Sequence, residues 1–364
     1  MFLLPFATVS HNVLLKNIKE KLQDDSLKDW ERDVYTFAEA FLNQKNNSFS
    51  VFTSGSTGAP KLIKLTRTQL ETSARATIRF FDLKEGDTAL LALPANKIAG
   101  RMMIVRSILA KMNLYCVPLS SNPVNSITKE QFFDFTAFTP MQLAHALKDN
   151  ATRSKTENFK TILLGGAEVQ PELMKQILKL KNNIYQSYGM TETASHIALR
   201  KLNGSDRSQT YQTLEAITVS TDERNCLVIH APYLSNNPII TNDLCKVYSP
   251  KEFEWIGRWD NIINSGGIKI SPEIIEHKLA PLFEERFFVT GVPDELFGEK
   301  VVMALESKKV DPEKLKKIKL AACALLEKYE VPKQIILVSR FKETETGKIL
   351  RKDSLNQAIQ VINW

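Results

Sequence analysis

The chain has 364 residues, with 43% hydrophobic and 24% charged side chains and a net charge of +7. That length exceeds one ordinary domain, and the hydrophobic share excludes a disordered chain. The lysines are scattered, with no arginine-rich block interleaved with aromatics, so nucleic acid is not an expected partner. No apolar run approaches the ~18 residues of a membrane span, which argues against membrane insertion.

Met1-Phe2-Leu3-Leu4-Pro5-Phe6 is apolar, lacks a preceding basic residue and contains proline, so it reads as a packed strand and not as a signal peptide. Residues 13–45 carry helix-period apolar positions. Residues 49–53 and 62–65 read as strands around a loop rich in glycine and hydroxyls. Thr68-Gln69-Leu70-Glu71 has the form of a capping box opening a helix to about Phe81. Strand and helix patterns then alternate: strand 89–93, helix 98–112, strand 115–119, a helix after Thr139-Pro140, strand 161–164, a helix after Pro171 and strand 184–188. This alternation predicts a large layered α/β domain. From Asn225 the texture changes to short strands, as in 226–230 and 253–256. A polar stretch near Asp260 marks a boundary, giving domains 1–259 and 260–364, the second a small α+β domain. Cys116, Cys226, Cys245 and Cys323 stand far apart without a CxxC pair, which excludes a disulfide framework or zinc site. They are expected to be buried free thiols in a reducing, cytoplasmic setting.

The loop Thr53-Ser54-Gly55-Ser56-Thr57-Gly58-Ala59-Pro60-Lys61 holds the chemistry of a polyphosphate site. Its glycines permit close backbone approach, Ser54, Ser56 and Thr57 supply hydroxyl donors, and Lys61 supplies a compact cation. It is not a Walker A loop, because the lysine follows proline and strand-like sequence follows the lysine.

This loop resembles the phosphate loop of the adenylate-forming superfamily, which includes acyl-CoA synthetases, adenylation domains and luciferases. Further motifs of that family follow in order. Gly165-Gly166-Ala167-Glu168 resembles the segment that lines adenine. Tyr188-Gly189-Met190-Thr191-Glu192-Thr193 is similar to the motif whose tyrosine stacks on adenine, whose threonine bonds phosphate and whose glutamate serves Mg²⁺. Thr241-Asn242-Asp243 stands where the family holds the ribose hydroxyls with an aspartate. Gly257-Arg258-Trp259-Asp260 resembles the ribose-binding arginine and the hinge aspartate. The stretch from Ser265 to Glu276, with Gly266, Gly267 and Lys269, resembles the motif lining the CoA tunnel. Glu345-Thr346-Gly347-Lys348-Ile349-Leu350-Arg351 resembles the loop of the catalytic lysine. The resemblance covers residues 50–352. It implies an ATP-dependent ligase that uses Mg²⁺, joins a small carboxylic acid to CoA through an acyl-AMP, and swings its carboxy-terminal domain about Asp260. Lys348, Thr191 and Glu192 would be catalytic.

Two departures narrow the resemblance. The phosphate loop begins at Ser54, so much of the usual amino-terminal region is expected to be absent or shrunken, and Leu62 stands where glycine commonly follows Pro-Lys. Leu93-Pro94-Ala95-Asn96-Lys97-Ile98-Ala99-Gly100, with Arg106 six residues on, resembles a segment of o-succinylbenzoate–CoA ligases of menaquinone biosynthesis, with Lys97 replacing their histidine. Residues 191–197, with Ser195 and His196, are similar to their acyl pocket. By this resemblance Arg106, Lys97, Ser195 and His196 would face the acid, Arg106 answering its second carboxylate. The bland alternative for Arg106 is a helix-surface arginine. Another aryl- or acyl-CoA ligase, a stand-alone adenylation enzyme loading a carrier protein, and an inactive nucleotide sensor remain as other readings.

Overall fold

The alternation in the sequence becomes, in a computed structural model that describes residues 1–52, 61–344 and 349–364, a mixed α/β chain of two compact units. The first comprises Met1–Thr218 and His230–Pro238. The second comprises Val219–Ile229 and Ile239–Trp364.

The first unit opens with β1 (Phe2–Pro5), α1 (His11–Leu22) and α2 (Asp29–Leu42). The apolar pattern over 13–45 is thus two helices, parted by a turn where Asp24 accepts from the backbone N–H and hydroxyl of Ser26. Next come the antiparallel pair β2 (Ser48–Phe52) and β3 (Leu62–Thr66), then α3 (Arg67–Phe81). The capping box of α3 is Thr66/Gln69: Thr66 Oγ1 accepts from the Gln69 N–H at 3.2 Å, and Gln69 Oε1 accepts from the Thr66 N–H at 2.8 Å. The sequence reading placed it two residues later, at Thr68. Both positions fit the signature, but β3 pairs through Thr66, so the helix begins at once.

Then follow β4 (Thr88–Leu91), α4 (Ile98–Ala110), β5 (Asn113–Cys116), β6 (Phe133–Phe138), α5 (Pro140–Lys148), α6 (Asn150–Thr156), β7 (Phe159–Leu164), α7 (Pro171–Ile177), β8 (Asn183–Gly189), β9 (His196–Lys201) and β10 (Tyr211–Thr213). Their sheet runs in the order β1-β5-β4-β6-β7-β8-β9-β10. The strands from β5 to β8 in this order are parallel, whereas β1 joins β5, β9 joins β8 and β10 joins β9 antiparallel. The amino terminus is the packed strand its composition implied, paired Phe2↔Cys116. Both faces of β6 and β7 are buried, which explains their nearly continuous apolar runs. Phe133 stacks on Phe159 at 5.1 Å within the core beneath α5 and α7. The chain steps from β4 to β5 on one side and then crosses to β6 on the other. This switch of direction opens a crevice at the carboxyl ends of the strands, where open α/β sheets take ligands.

The second unit begins with β11 (Thr218–Thr221) beside β12 (Cys226–His230), which pairs antiparallel with β13 (Ile239–Ser249) as that does with β14 (Glu252–Arg258). It continues as a small α+β layer: β15 (Ile263–Ser265), β16 (Ile268–Ile270), α8 (Pro272–Leu279), β17 (Phe287–Asp294), β18 (Gly298–Glu306), α9 (Pro312–Leu325), β19 (Gln334–Val338), α10 (Arg351–Leu355) and β20 (Ala358–Asn363). The sheet order is β16-β15-β18-β19-β20, with β17 also on β18. The first passage between the compact units falls at Thr218/Val219, and β14 packs with α8 inside the second unit. Asn261 Nδ2 donates to Glu273 Oε1 at 2.6 Å, and a Cβ on Gly257 would meet Glu273 Oε2 at 2.6 Å. The division at 259/260 concerns a hinge and returns below as part of the functional proposal.

Cys116, Cys226 and Cys245 are buried free thiols as expected, whereas Cys323 is exposed. It lies on α9, whose buried face is carried by Leu315, Ile318 and Ala322. No helix among the described residues is long and apolar enough to cross a membrane.

Candidate active site

The first unit gathers its predicted segments at the carboxyl ends of its parallel strands. Gly165-Gly166-Ala167-Glu168 follows β7, and Gly189 ends β8, with Met190 next. The segment from Leu93 to Gly100 links β4 to α4. That is the edge to which the switch in strand order points.

Between β8 and β9 the chain makes a tight turn. The Thr193 hydroxyl accepts from the Met190 N–H at 2.9 Å and lies within bonding distance of the Met190 and Ser195 carbonyls. Gly189 is required here, since a Cβ would lie 2.5 Å from the His196 Cα and the Ser195 carbonyl oxygen. The turn leaves Glu192 exposed, Thr191 and Ser195 half-buried, and His196 buried at the head of β9. Tyr188 stands edge-on to Tyr211, with ring centroids 5.8 Å apart.

Arg106 meets this turn from α4. The helix is buried over most of its length, from Gly100 through Met102 to Ser107, and Arg106 is only 2% exposed. The reading as a helix-surface arginine is therefore excluded. The sequence signal was present in Ile98–Ala110: a helix apolar nearly all round is a buried one. Arg106 Nη2 donates to Ser195 Oγ at 2.6 Å and lies 3.5 Å from His196 Nδ1. Its Nε is buried without a hydrogen-bond partner, and among the described residues it has no carboxylate partner. Burial lowers its pKa to about 9, so it stays a cation at neutral pH. Burial, and then the charge of Arg106, hold the His196 pKa well below its usual 6.5, so the imidazole is neutral. Three of the four predicted acid-facing residues thus touch one another. Lys97 stands at the N-cap of α4, nine residues before Arg106 and about 13 Å along the helix axis.

The second unit assembles its own cluster at the end of β14. Asp243 is 7% exposed and accepts from Trp255 Nε1 at 3.1 Å and Arg258 Nη1 at 3.3 Å. Arg258 Nη2 donates to Asp260 Oδ2 at 2.7 Å, and Asn242 Nδ2 donates to Asp260 Oδ1 at 3.0 Å. Desolvation pulls the Arg258 pKa down, but Asp243 and Asp260 outweigh it and hold it above its ordinary value. Trp255 and Asn242 are partners that sequence reasoning did not assign, and only the β13–β14 register reveals them. Gly266 and Gly267 form the two-residue turn between β15 and β16, both at positive φ (58° and 81°), as a tight hairpin demands. Lys269 Nζ sits 4.7 Å from the Trp259 ring centroid.

Thr53, Ser54, Gly55, Ser56, Thr57, Gly58 and Lys348 lie outside the described residues. Lys61 immediately precedes β3. Among the described residues no group of three or more His, Cys, Asp or Glu side chains is placed to hold a metal. An exposed single carboxylate such as Glu192 fits the habit of Mg²⁺, which takes one or two protein carboxylates and fills its shell with phosphate and water.

This chain belongs to the family of AMP-binding enzymes, whose model matches residues 7–221. A 2-succinylbenzoate–CoA ligase of Geobacillus sp. (strain WCH70) is 26% identical over 330 residues, covering 83% of this chain and 67% of that protein. The chain thus spans about two thirds of that relative's length. A solved acyl-CoA synthetase (AMP-forming)/AMP-acid ligase II-like protein from Dyadobacter fermentans is 36% identical, with 94% of this chain and 97% of that one covered and a TM-score of 0.64. The o-succinylbenzoate CoA synthetase of Bacillus subtilis, solved with its acyl-adenylate intermediate, shares the fold at 21% identity and a TM-score of 0.69, with 83% and 68% covered.

Proposed function

We propose that this enzyme is an ATP-dependent acid–CoA ligase whose acid carries a second carboxylate, with o-succinylbenzoate, a precursor of menaquinone, the best-supported substrate. The observation that carries the proposal is Arg106: a buried cation, held by a hydroxyl and a neutral imidazole, with no anionic partner among the described residues. An uncompensated buried charge is costly, and a bidentate carboxylate is the partner a guanidinium fits best.

In the first half-reaction a substrate carboxylate oxygen attacks the α-phosphorus of ATP, giving acyl-AMP and pyrophosphate. In the second, the CoA thiol attacks the acyl carbon and AMP leaves. The first step brings an anion toward a polyphosphate, and each pair of unit charges ~4 Å apart opposes it by about 4 kcal/mol at an effective dielectric near 20. The loop from Thr53 to Lys61 would cradle the phosphates, Lys348 would bridge the reacting carboxylate and the nucleotide, and Thr191 would bond phosphate. Tyr188 and residues 165–168 would hold adenine, and Asp243 and Arg258 the ribose. Glu192 would hold Mg²⁺, which supplies charge screening when bound. Removing Lys348 and admitting CoA past Gly266, Gly267 and Lys269 would follow a swing of residues 260–364 about Asp260. These are cytoplasmic, small-molecule reactions.

A pyrophosphate-release screen over aromatic and aliphatic mono- and dicarboxylates, followed by CoA-thioester detection, tests this reading. Aromatic keto-dicarboxylates are expected to lead. Equal turnover of monocarboxylates would refute the assignment of the acid, and thioester formed only on a carrier protein would refute CoA. Lys348→Ala should lower acyl-AMP formation by roughly three orders of magnitude or more while sparing thioester formation from supplied acyl-AMP.

A further inference from the structure

His196 is gripped from both sides, and the second grip comes from a residue outside every recognised motif. Thr77, fully buried on α3, places Oγ1 3.1 Å from His196 Nε2 and 3.3 Å from the Ser73 carbonyl oxygen one turn earlier. On its other edge the imidazole presents Nδ1 to Ser195 Oγ at 3.3 Å and Arg106 Nη2 at 3.5 Å.

The donors and acceptors around the ring favour one placement of the proton. A guanidinium can only donate, so a proton on Nδ1 would meet Arg106 donor to donor. The Thr77 hydroxyl has one hydrogen, and the Ser73 carbonyl oxygen 3.3 Å away can only accept it. With that hydrogen given to Ser73, Thr77 would accept at the imidazole and the proton would sit on Nε2. The chain then has one direction at every link. Arg106 Nη2 donates to Ser195 Oγ, Ser195 would donate to His196 Nδ1, His196 Nε2 would donate to Thr77, and Thr77 donates to the carbonyl of α3.

We propose that Thr77 is a positioning residue of the acid pocket: it fixes the Nε2–H tautomer of His196 and so anchors Arg106 on one side with neutral groups only. The consequence is specific. The guanidinium is held in place without a counter-charge among the described residues, and its remaining donors stay available to a substrate carboxylate. An acidic residue at position 196 would anchor Arg106 as well, but would neutralise the cation the substrate needs.

The kinetic part of this inference rests on the dicarboxylate reading above, whereas the tautomer does not. The test uses the full chain, with ¹⁵N-labelled histidine followed by NMR at neutral pH, and steady-state kinetics on o-succinylbenzoate and a monocarboxylate analogue. Wild type should show a protonated Nε2 and a bare Nδ1 at His196. Thr77→Val should populate both tautomers and raise KM for the dicarboxylate about tenfold with little change in kcat. The analogue's KM should stay put. Thr77→Ser, which keeps the hydroxyl, should restore both signals, and thermal melting checks that each variant is folded. A protonated Nδ1 in wild type overturns the proposal, as does an equal rise in KM for both acids. If no dicarboxylate is a substrate at all, the functional reading falls, and the tautomer in Thr77→Val against Thr77→Ser still decides the role of Thr77.

Discussion

Two arginines of this enzyme hold the same kind of charge in opposite ways. Arg258, about one-third exposed, spans Asp243 and Asp260 and leans on water for the rest of its stabilisation. Arg106 is fully enclosed and meets a serine and an uncharged histidine. A cation that brings its own carboxylates is a brace, complete before any ligand arrives. A cation buried among neutral groups is incomplete, and its electrostatics favour an anion from outside. The fold places the first on a β-hairpin of the second unit and the second inside a buried helix of the first.

The largest effect that can break this contrast is on specificity. Arg106→Ala should lower kcat/KM for the dicarboxylate by about 10²-fold, or ~2.7 kcal/mol at ~1.4 kcal/mol per decade, while leaving monocarboxylate analogues and the KM for ATP nearly unchanged. Arg106→Lys should recover only part, since an ammonium lacks the planar fork. Steady-state kinetics on both acids decide it, and an equal slowing of both would make Arg106 a structural residue.

A smaller effect concerns pH. The folded state holds His196 below its unfolded pKa because burial, and then Arg106, oppose a second positive charge. The unfolded chain therefore takes up a proton that the native pocket refuses. This contribution to stability is full above pH ~6.5 and is lost as the pH falls toward the folded value, with a slope of up to ~1.4 kcal/mol per pH unit. Urea unfolding at pH 7.5, 6.0 and 5.0 should show a shallower acid loss for His196→Gln than for wild type. Parallel slopes would mean that the native imidazole accepts the proton.

The smallest effect is at the brace. Asp260→Asn removes one partner of Arg258 at an exposed position, so unfolding free energy should change by no more than about 1 kcal/mol. A loss of several kcal/mol would show that this pair is as critical to its unit as a buried one. Should the half-reaction with CoA fall while stability holds, Asp260 acts in motion, as the hinge assignment requires.

Much of this was legible in the residues. The β–α alternation, the packed first strand and the glycine-marked segments after β7 and β8 each follow from local chemistry: side-chain period, the φ freedom of glycine, and prolines at helix starts. Strand β6, Phe133–Phe138, escaped notice because a strand buried on both faces shows no alternation to read. The α3 cap was displaced by two residues because two threonines satisfied the same signature, and strand register chose between them.

The sequence by itself thus determined the order of elements, the family motifs and the candidate list that joined Arg106 to Ser195 and His196. Tertiary structure alone decided that Arg106 is buried with no carboxylate beside it among the described residues, that Thr77 closes the far side of His196, and that Trp255 and Asn242 attend Asp243 and Asp260. Composition and periodicity record what each residue prefers of water and backbone. Whether a charge meets an anion, a hydroxyl or nothing depends on which distant segments, 89 residues apart for Arg106 and Ser195 and 119 for Thr77 and His196, the packing brings within 3 Å or so of one another.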